Sequence, residues 1–163
     1  MKITKRGIIV PDTHFPLQDD AAVNCVVKAI RKVKPDLFVN LGDVGEWESV
    51  SAWKYKDKKL PPLEYIIPII EEDIRLVNEG LDVWDNVLEE VGCKKKYLLQ
   101  GNHDLWLDNF VVKYPYMSNF SFKRACKIKE RGYKYTDYNL PIQIGKLTFF
   151  HGAFATTYHA KKH

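Results

Sequence analysis

A chain of 163 residues, 45% of them hydrophobic, can bury one proper core and is too short for two comfortable ones, so a single domain over residues 1–163 is expected. The net charge of +4 suits an anionic partner without demanding one, and Cys25, Cys93 and Cys126 form no Cys-x-x-Cys pair, which argues against a disulfide framework or a structural zinc site. No signal-peptide core and no apolar run of about 18 residues is present, so the expectation is a cytoplasmic chain with reduced thiols and no membrane contact.

The first apolar run, Gly7-Ile8-Ile9-Val10, reads as a strand and ends at Asp12-Thr13-His14. After the acidic start Asp19-Asp20, apolar residues Val23, Val26, Val27, Ile30 and Val33 recur at helical steps until Pro35. A second strand, Leu37–Leu41, ends at Gly42-Asp43. Strand, helix, strand in this order predicts parallel pairing through a right-handed crossover, which brings both strand ends to one edge. Asp12, His14 and Asp43 then meet where ligand sites of such sheets lie, beyond the carboxyl ends of the strands.

The segment Trp47–Tyr65 interleaves Trp53, Tyr55 and Tyr65 with Lys54, Lys56, Lys58 and Lys59. Its first reading is a solvated loop whose aromatics pack on the domain; its second is a surface that stacks bases and contacts phosphates. Ile66, Ile70, Ile74, Val77, Leu81, Trp84, Leu88 and Val91 then follow steps of three and four. That spacing predicts a long helix beginning near Pro68, where proline is tolerated in the first turn, and stopping at Gly92. Lys96–Gln100 reads as a third strand and ends at Gly101-Asn102-His103-Asp104. Helical or irregular structure is expected over roughly 105–131. Residues 141–150 suggest a hairpin turning at Gly145-Lys146, after which comes His151-Gly152.

Four times, therefore, a short apolar run ends in Asp, Asn or His, in the order Asp-x-His, Gly-Asp, Gly-Asn-His-Asp and His. That order resembles the calcineurin-like metallophosphoesterases, whose signature continues to a fifth motif, Gly-His-x-His, absent from the twelve residues beyond His151. The insertion after Gly-Asp is similar to that of phage and prophage members. The resemblance implies a two-sheet β-sandwich flanked by helices (an α-β-β-α architecture), here expected to lack its C-terminal part. It also implies two divalent ions, manganese first, with iron, zinc or nickel as alternatives. Asp12 and His14 would serve one ion, Asn102 and His151 the other, with Asp43 bridging. His103 would face the scissile phosphate, and Asp104 would orient its ring and favour its protonated form.

Two ions about 3.5 to 4 Å apart neutralise phosphoryl oxygens and acidify water, which suits hydrolysis of a phosphate mono- or diester. Two other classes compete: a catalytically impaired binding or assembly module, favoured by the missing fifth motif, and a nucleic-acid-binding protein using the Lys and Trp segment. A partner chain completing the site by oligomerisation is also compatible with the missing ligands. His159 and His163 share a helical spacing, but residue 160 is Ala where a zinc protease helix needs Glu. Tyr158–His163 reads as the opening of a helix instead.

Overall fold

The computed structural model describes residues 5–152, and the expectations for Tyr158–His163, including His159 and His163, lie outside them. Four parallel strands, β1 (Gly7–Val10), β2 (Leu37–Asn40), β3 (Lys95–Leu99) and β4 (Tyr133–Thr136), form a sheet in sequence order. The register pairs Ile8 with Phe38, Val39 with Tyr97 and Leu98 with Tyr135. Because every crossover steps the same way across the sheet, crossovers of one hand place all connecting helices on one face. Alternation along the strands turns Ile8, Val10, Phe38 and Leu98 toward those helices.

Helix α1 (Asp20–Val33) is capped by Asp19, whose carboxylate accepts from the amides of Ala21 and Ala22. It ends at Lys34, held in a left-handed conformation just before Pro35. Helix α2 (Leu63–Glu90) begins five residues before Pro68, earlier than the proline position predicts. Pro68 forfeits only the amide that would reach back into the first turn, while Ile66 and Ile70 are fully buried. Burying that extra turn of the apolar stripe outweighs the interior proline, a cost of about 3 kcal/mol. Gly80 of α2 lies directly against the Phe15 ring, so the helix approaches the first loop as closely as a side chain permits.

Residues 105–131 contain α3 (Asp104–Lys113), a 3-10 segment (Pro115–Phe120) and the short α4 (Phe122–Ala125). Strand β4 is not foreseen in the sequence. Its Tyr133 and Tyr135 turn to the core, and Lys134 lies 5.8 Å from the Tyr97 ring. The core joins Phe38, Trp84, Trp47, Leu107 and Phe122, all nearly or fully buried. Arg131, with an 11% exposed side chain, ties α2 to the turn before β4 through Asp82, Asp85, Asn78 and the Cys126 carbonyl.

The expected hairpin forms: β5 (Ile142–Ile144) pairs antiparallel with β6 (Leu147–Phe149) around Gly145, whose φ is 64°. It faces the other side of the parallel sheet across a cleft of about 580 Å³ lined by Ile9, Leu37, Tyr97, Ile144, Leu147 and Phe149. The architecture is α/β, with helices covering one face and a small second sheet opposite the other. No helix among the described residues is long and apolar enough to cross a membrane.

Candidate metal centre

The loops leaving β1 and β2 run side by side. Asp12 donates its amide to the Gly42 carbonyl at 3.1 Å, His14 to that of Asp43 at 3.0 Å, and Phe15 to that of Val44 at 2.8 Å. Asp12, His14 and Asp43 all adopt left-handed backbone, with φ of 48°, 47° and 49°. Such conformations disfavour side chains that are not glycine and persist only where the surroundings over-determine them. Here the reciprocal loop bonds do so, and one donor atom from each residue comes to lie within 4.8 Å of the others.

The β3 loop closes on this pair. A Cβ at Gly42 would sit 2.5 Å from the Gly101 amide nitrogen, and a Cβ at Gly101 would collide with the amide and carboxylate of Asp43. The two backbones therefore touch with nothing between them, and this approach lets the His103 amide donate to Asp43 Oδ1 at 2.8 Å. Asp43 is buried, and its other oxygen, Oδ2, lies 3.9 Å from His14 Nε2 and 3.6 Å from His151 Nε2.

His151, two residues past β6, is buried to 6% exposure. Its Nδ1 lies 2.7 Å from the Leu41 carbonyl oxygen, which can only accept, so Nδ1 carries the proton. In the neutral ring Nε2 then holds a lone pair, and it faces Asn102 Oδ1 at 3.1 Å as well as Asp43 Oδ2. A cation between these three groups would satisfy all of them. Carbonyl-anchored imidazole with its free nitrogen turned to oxygen donors is how histidine is presented to a metal. Mixed nitrogen and oxygen donors suit transition ions over calcium.

The sequence does not single out Glu46, yet it belongs to the site. Its Oε2 lies 2.8 Å from His14 Nδ1 and 3.7 Å from His103 Nδ1, and His14, Glu46 and His103 form a second group able to hold an ion. The signal was a carboxylate three residues after Gly-Asp, on the same loop. The His14 contact is close without the alignment of a hydrogen bond, leaving Nδ1 buried and unsatisfied.

His103 and Asp104 do not form the expected dyad. The His103 ring stacks on Trp106 at 4.0 Å between centroids, stands edge-on to His14 at 4.7 Å and places Nδ1 3.2 Å from the Glu46 carbonyl oxygen. Asp104 is fully buried and turned away into the loops. Its Oδ1 accepts from the Val44 amide at 3.1 Å, the Gly45 amide at 3.3 Å and the Trp47 indole at 3.0 Å, and its Oδ2 from the Gly101 amide at 3.0 Å. The physical reason is helical. As the first residue of α3, Asp104 points back over the loops beneath the helix start, where unpaired amides collect. Burial raises its pKa from the ordinary 3.8, against the Trp47 bond that pulls it down.

Fold and site together describe a cluster of candidate metal ligands at the carboxyl edge of an open parallel α/β sheet. The family model for calcineurin-like phosphoesterases matches residues 6–162, and the chain belongs to that family. It is also similar to the Gene 54 protein of Mycobacterium phage L5, 28% identical over 127 residues that cover 74% of this chain and 46% of the relative. The chain thus spans about half the length of that phage protein.

Proposed function

We propose that the chain hydrolyses phosphate mono- or diesters at a two-ion centre held by Asp12, His14, Asp43, Asn102 and His151. The observation that carries this reading is the convergence of the buried His151 Nε2 and Asp43 Oδ2 with Asn102 Oδ1, beside the Asp12 and His14 donors. Asp43 Oδ2 faces both histidines, which supports a bridging role for this carboxylate. Divalent ions, manganese first among them, would supply charge neutralisation for the phosphoryl oxygens and a more acidic water.

The protein's own groups have the remaining tasks. Leu41 holds His151 in one tautomer, and the His103 amide fixes Asp43 through Oδ1. The His103 ring, stacked on Trp106 and edge-on to His14, would give a proton to the departing ester oxygen. In the balanced reaction a water oxygen bonds to phosphorus, the bond from phosphorus to the leaving oxygen breaks, and that oxygen takes up a proton. Asp104 acts here as a latch on the loops and not as the orienting carboxylate. The three thiols, none in a disulfide, support a reducing compartment such as a cytoplasm.

The test is hydrolysis of bis-p-nitrophenyl phosphate and p-nitrophenyl phosphate across a manganese titration, with Asp43→Asn and His103→Asn in parallel. Metal-dependent turnover that Asp43→Asn abolishes is expected. His103→Asn should lower turnover by about 100-fold or more, the scale of a general acid, while manganese binding by calorimetry persists. A folded parent that binds manganese without turnover would refute the catalytic assignment and leave a binding module.

A further inference from the structure

Beside the metal centre, across the Trp106 ring from His103, lies a groove of about 610 Å³ between the 50–60 segment and α3. Lys58, Lys59 and Lys113 line it together with Tyr55, Trp106 and Tyr114, and no carboxylate does, in a chain that carries 21 acidic residues. Lys54, on the same loop but outside the groove lining, is already bound to Glu48 at 2.7 Å. Lys58, Lys59 and Lys113, by contrast, are exposed and have no ion-pair partner among the described residues; Lys113 rests 5.3 Å from the Tyr114 ring. Trp53, in the same loop, is 72% exposed, and so is not one of the aromatics that the loop packs onto the domain.

We propose that this groove binds a single-stranded polynucleotide, its phosphates on Lys58, Lys59 and Lys113 and its bases against Tyr55 and Tyr114. Unpaired ammonium groups interleaved with aromatic faces in a concave channel are the two components of single-strand binding without sequence preference. A duplex hides its base faces in the stack and can use only the lysines. Continuity with His103 through Trp106 would present a phosphodiester of the bound strand to the metal centre. That last step rests on the phosphoesterase reading; the affinity of the groove does not.

The experiment measures fluorescence anisotropy of labelled oligothymidylate and oligouridylate with the full chain in EDTA, over a salt series. One variant combines Lys58→Ser, Lys59→Ser and Lys113→Ser. A second removes the same charge elsewhere through Lys28→Ser, Lys32→Ser and Lys129→Ser, all at exposed positions. The groove variant should bind at least about 10-fold more weakly, with a log–log salt slope shallower by about 2, since each phosphate contact on a single strand contributes roughly 0.7. The second variant should keep most of the parent affinity. Preference for one of the two oligonucleotides identifies DNA or RNA as the strand.

The proposal is overturned if the parent fails to bind, if both variants lose affinity equally, or if a duplex of the same length binds as tightly as the single strand. Groove-dependent affinity in a chain that hydrolyses neither nitrophenyl ester would uphold the groove and overturn the catalytic reading instead.

Discussion

Asp104→Asn separates a latch from a catalytic carboxylate. Four N–H donors, from Val44, Gly45, Trp47 and Gly101, converge on the two oxygens of Asp104. A carboxylate accepts all four; a carboxamide offers one oxygen and one NH2. In its best orientation the asparagine NH2 replaces Oδ2 and confronts the Gly101 amide, orphaning one buried donor at about 1–3 kcal/mol. The three remaining bonds lose their charge assistance, about 1 kcal/mol each. Relief of a buried charge offsets part of this, and a net loss of about 3 kcal/mol is expected. For a chain of this size that corresponds to a fall in Tm of about 9 °C. Urea denaturation in EDTA is the assay, because bound metal would add stability of its own.

The pH dependence has a definite sign. Burial raises the Asp104 pKa above the ordinary 3.8, so the stability linked to this group is fully present below that value and is lost as pH rises through the folded one. The stability gap between parent and Asp104→Asn should therefore narrow as pH rises above the ordinary carboxylate range. A gap that widens would mean that the four donors outweigh burial. If Asp104→Asn unfolds within about 1 kcal/mol of the parent while the pH profile of turnover shifts, the latch is wrong and the dyad is restored.

Glu46→Gln removes the charge 2.8 Å from His14 Nδ1 on a side chain 28% exposed. Manganese affinity should fall about 10-fold or more, as for other partners of metal-bound imidazole, with unfolding free energy unchanged; calorimetry and urea titration together check both. Gly101→Ala drives a methyl group into the Asp43 amide and carboxylate. A loss of about 3 kcal/mol together with manganese binding is expected, and an alanine variant that keeps both would refute the backbone contact.

The strand ends and their motifs were legible because each lies within one contiguous stretch: an apolar run, then Asp, Asn or His. The order of those runs also fixed parallel pairing, which is why Asp12, His14 and Asp43 meet as expected. Helix α1 was readable from its acidic start at Asp19-Asp20 and its apolar spacing, whereas the start of α2 was not, because local proline chemistry gave way to burial of Ile66. Strand β4 escaped because Tyr-Lys-Tyr-Thr is only four residues long and has no aliphatic residue, although tyrosine and threonine both favour strands. The direction of the Asp104 side chain is set by the start of α3 and by amides from two distant loops, and nothing in Gly-Asn-His-Asp encodes it. Glu46 escaped because Gly-Asp was read without the three residues that follow.

The topology holds the two halves of the proposed metal centre differently. Asp12, His14 and Asp43 sit on loops bonded to each other and latched by Asp104, whereas His151 arrives on β6, whose sheet has two strands and meets the parallel sheet across an open cleft. The half of the centre that depends on His151 should then be the more easily loosened. Phe149→Ala tests this without touching a ligand, since Phe149 lines the cleft two residues before His151 and is only half buried. Its loss should cost about 1–2 kcal/mol, less than the 3–5 of a fully buried Phe→Ala change. Because that cost falls on the docking of β6, manganese calorimetry should show one class of site weakened several-fold and the other unchanged. Equal weakening of both would mean that the Asp43 carboxylate, and not the hairpin, governs how His151 is held.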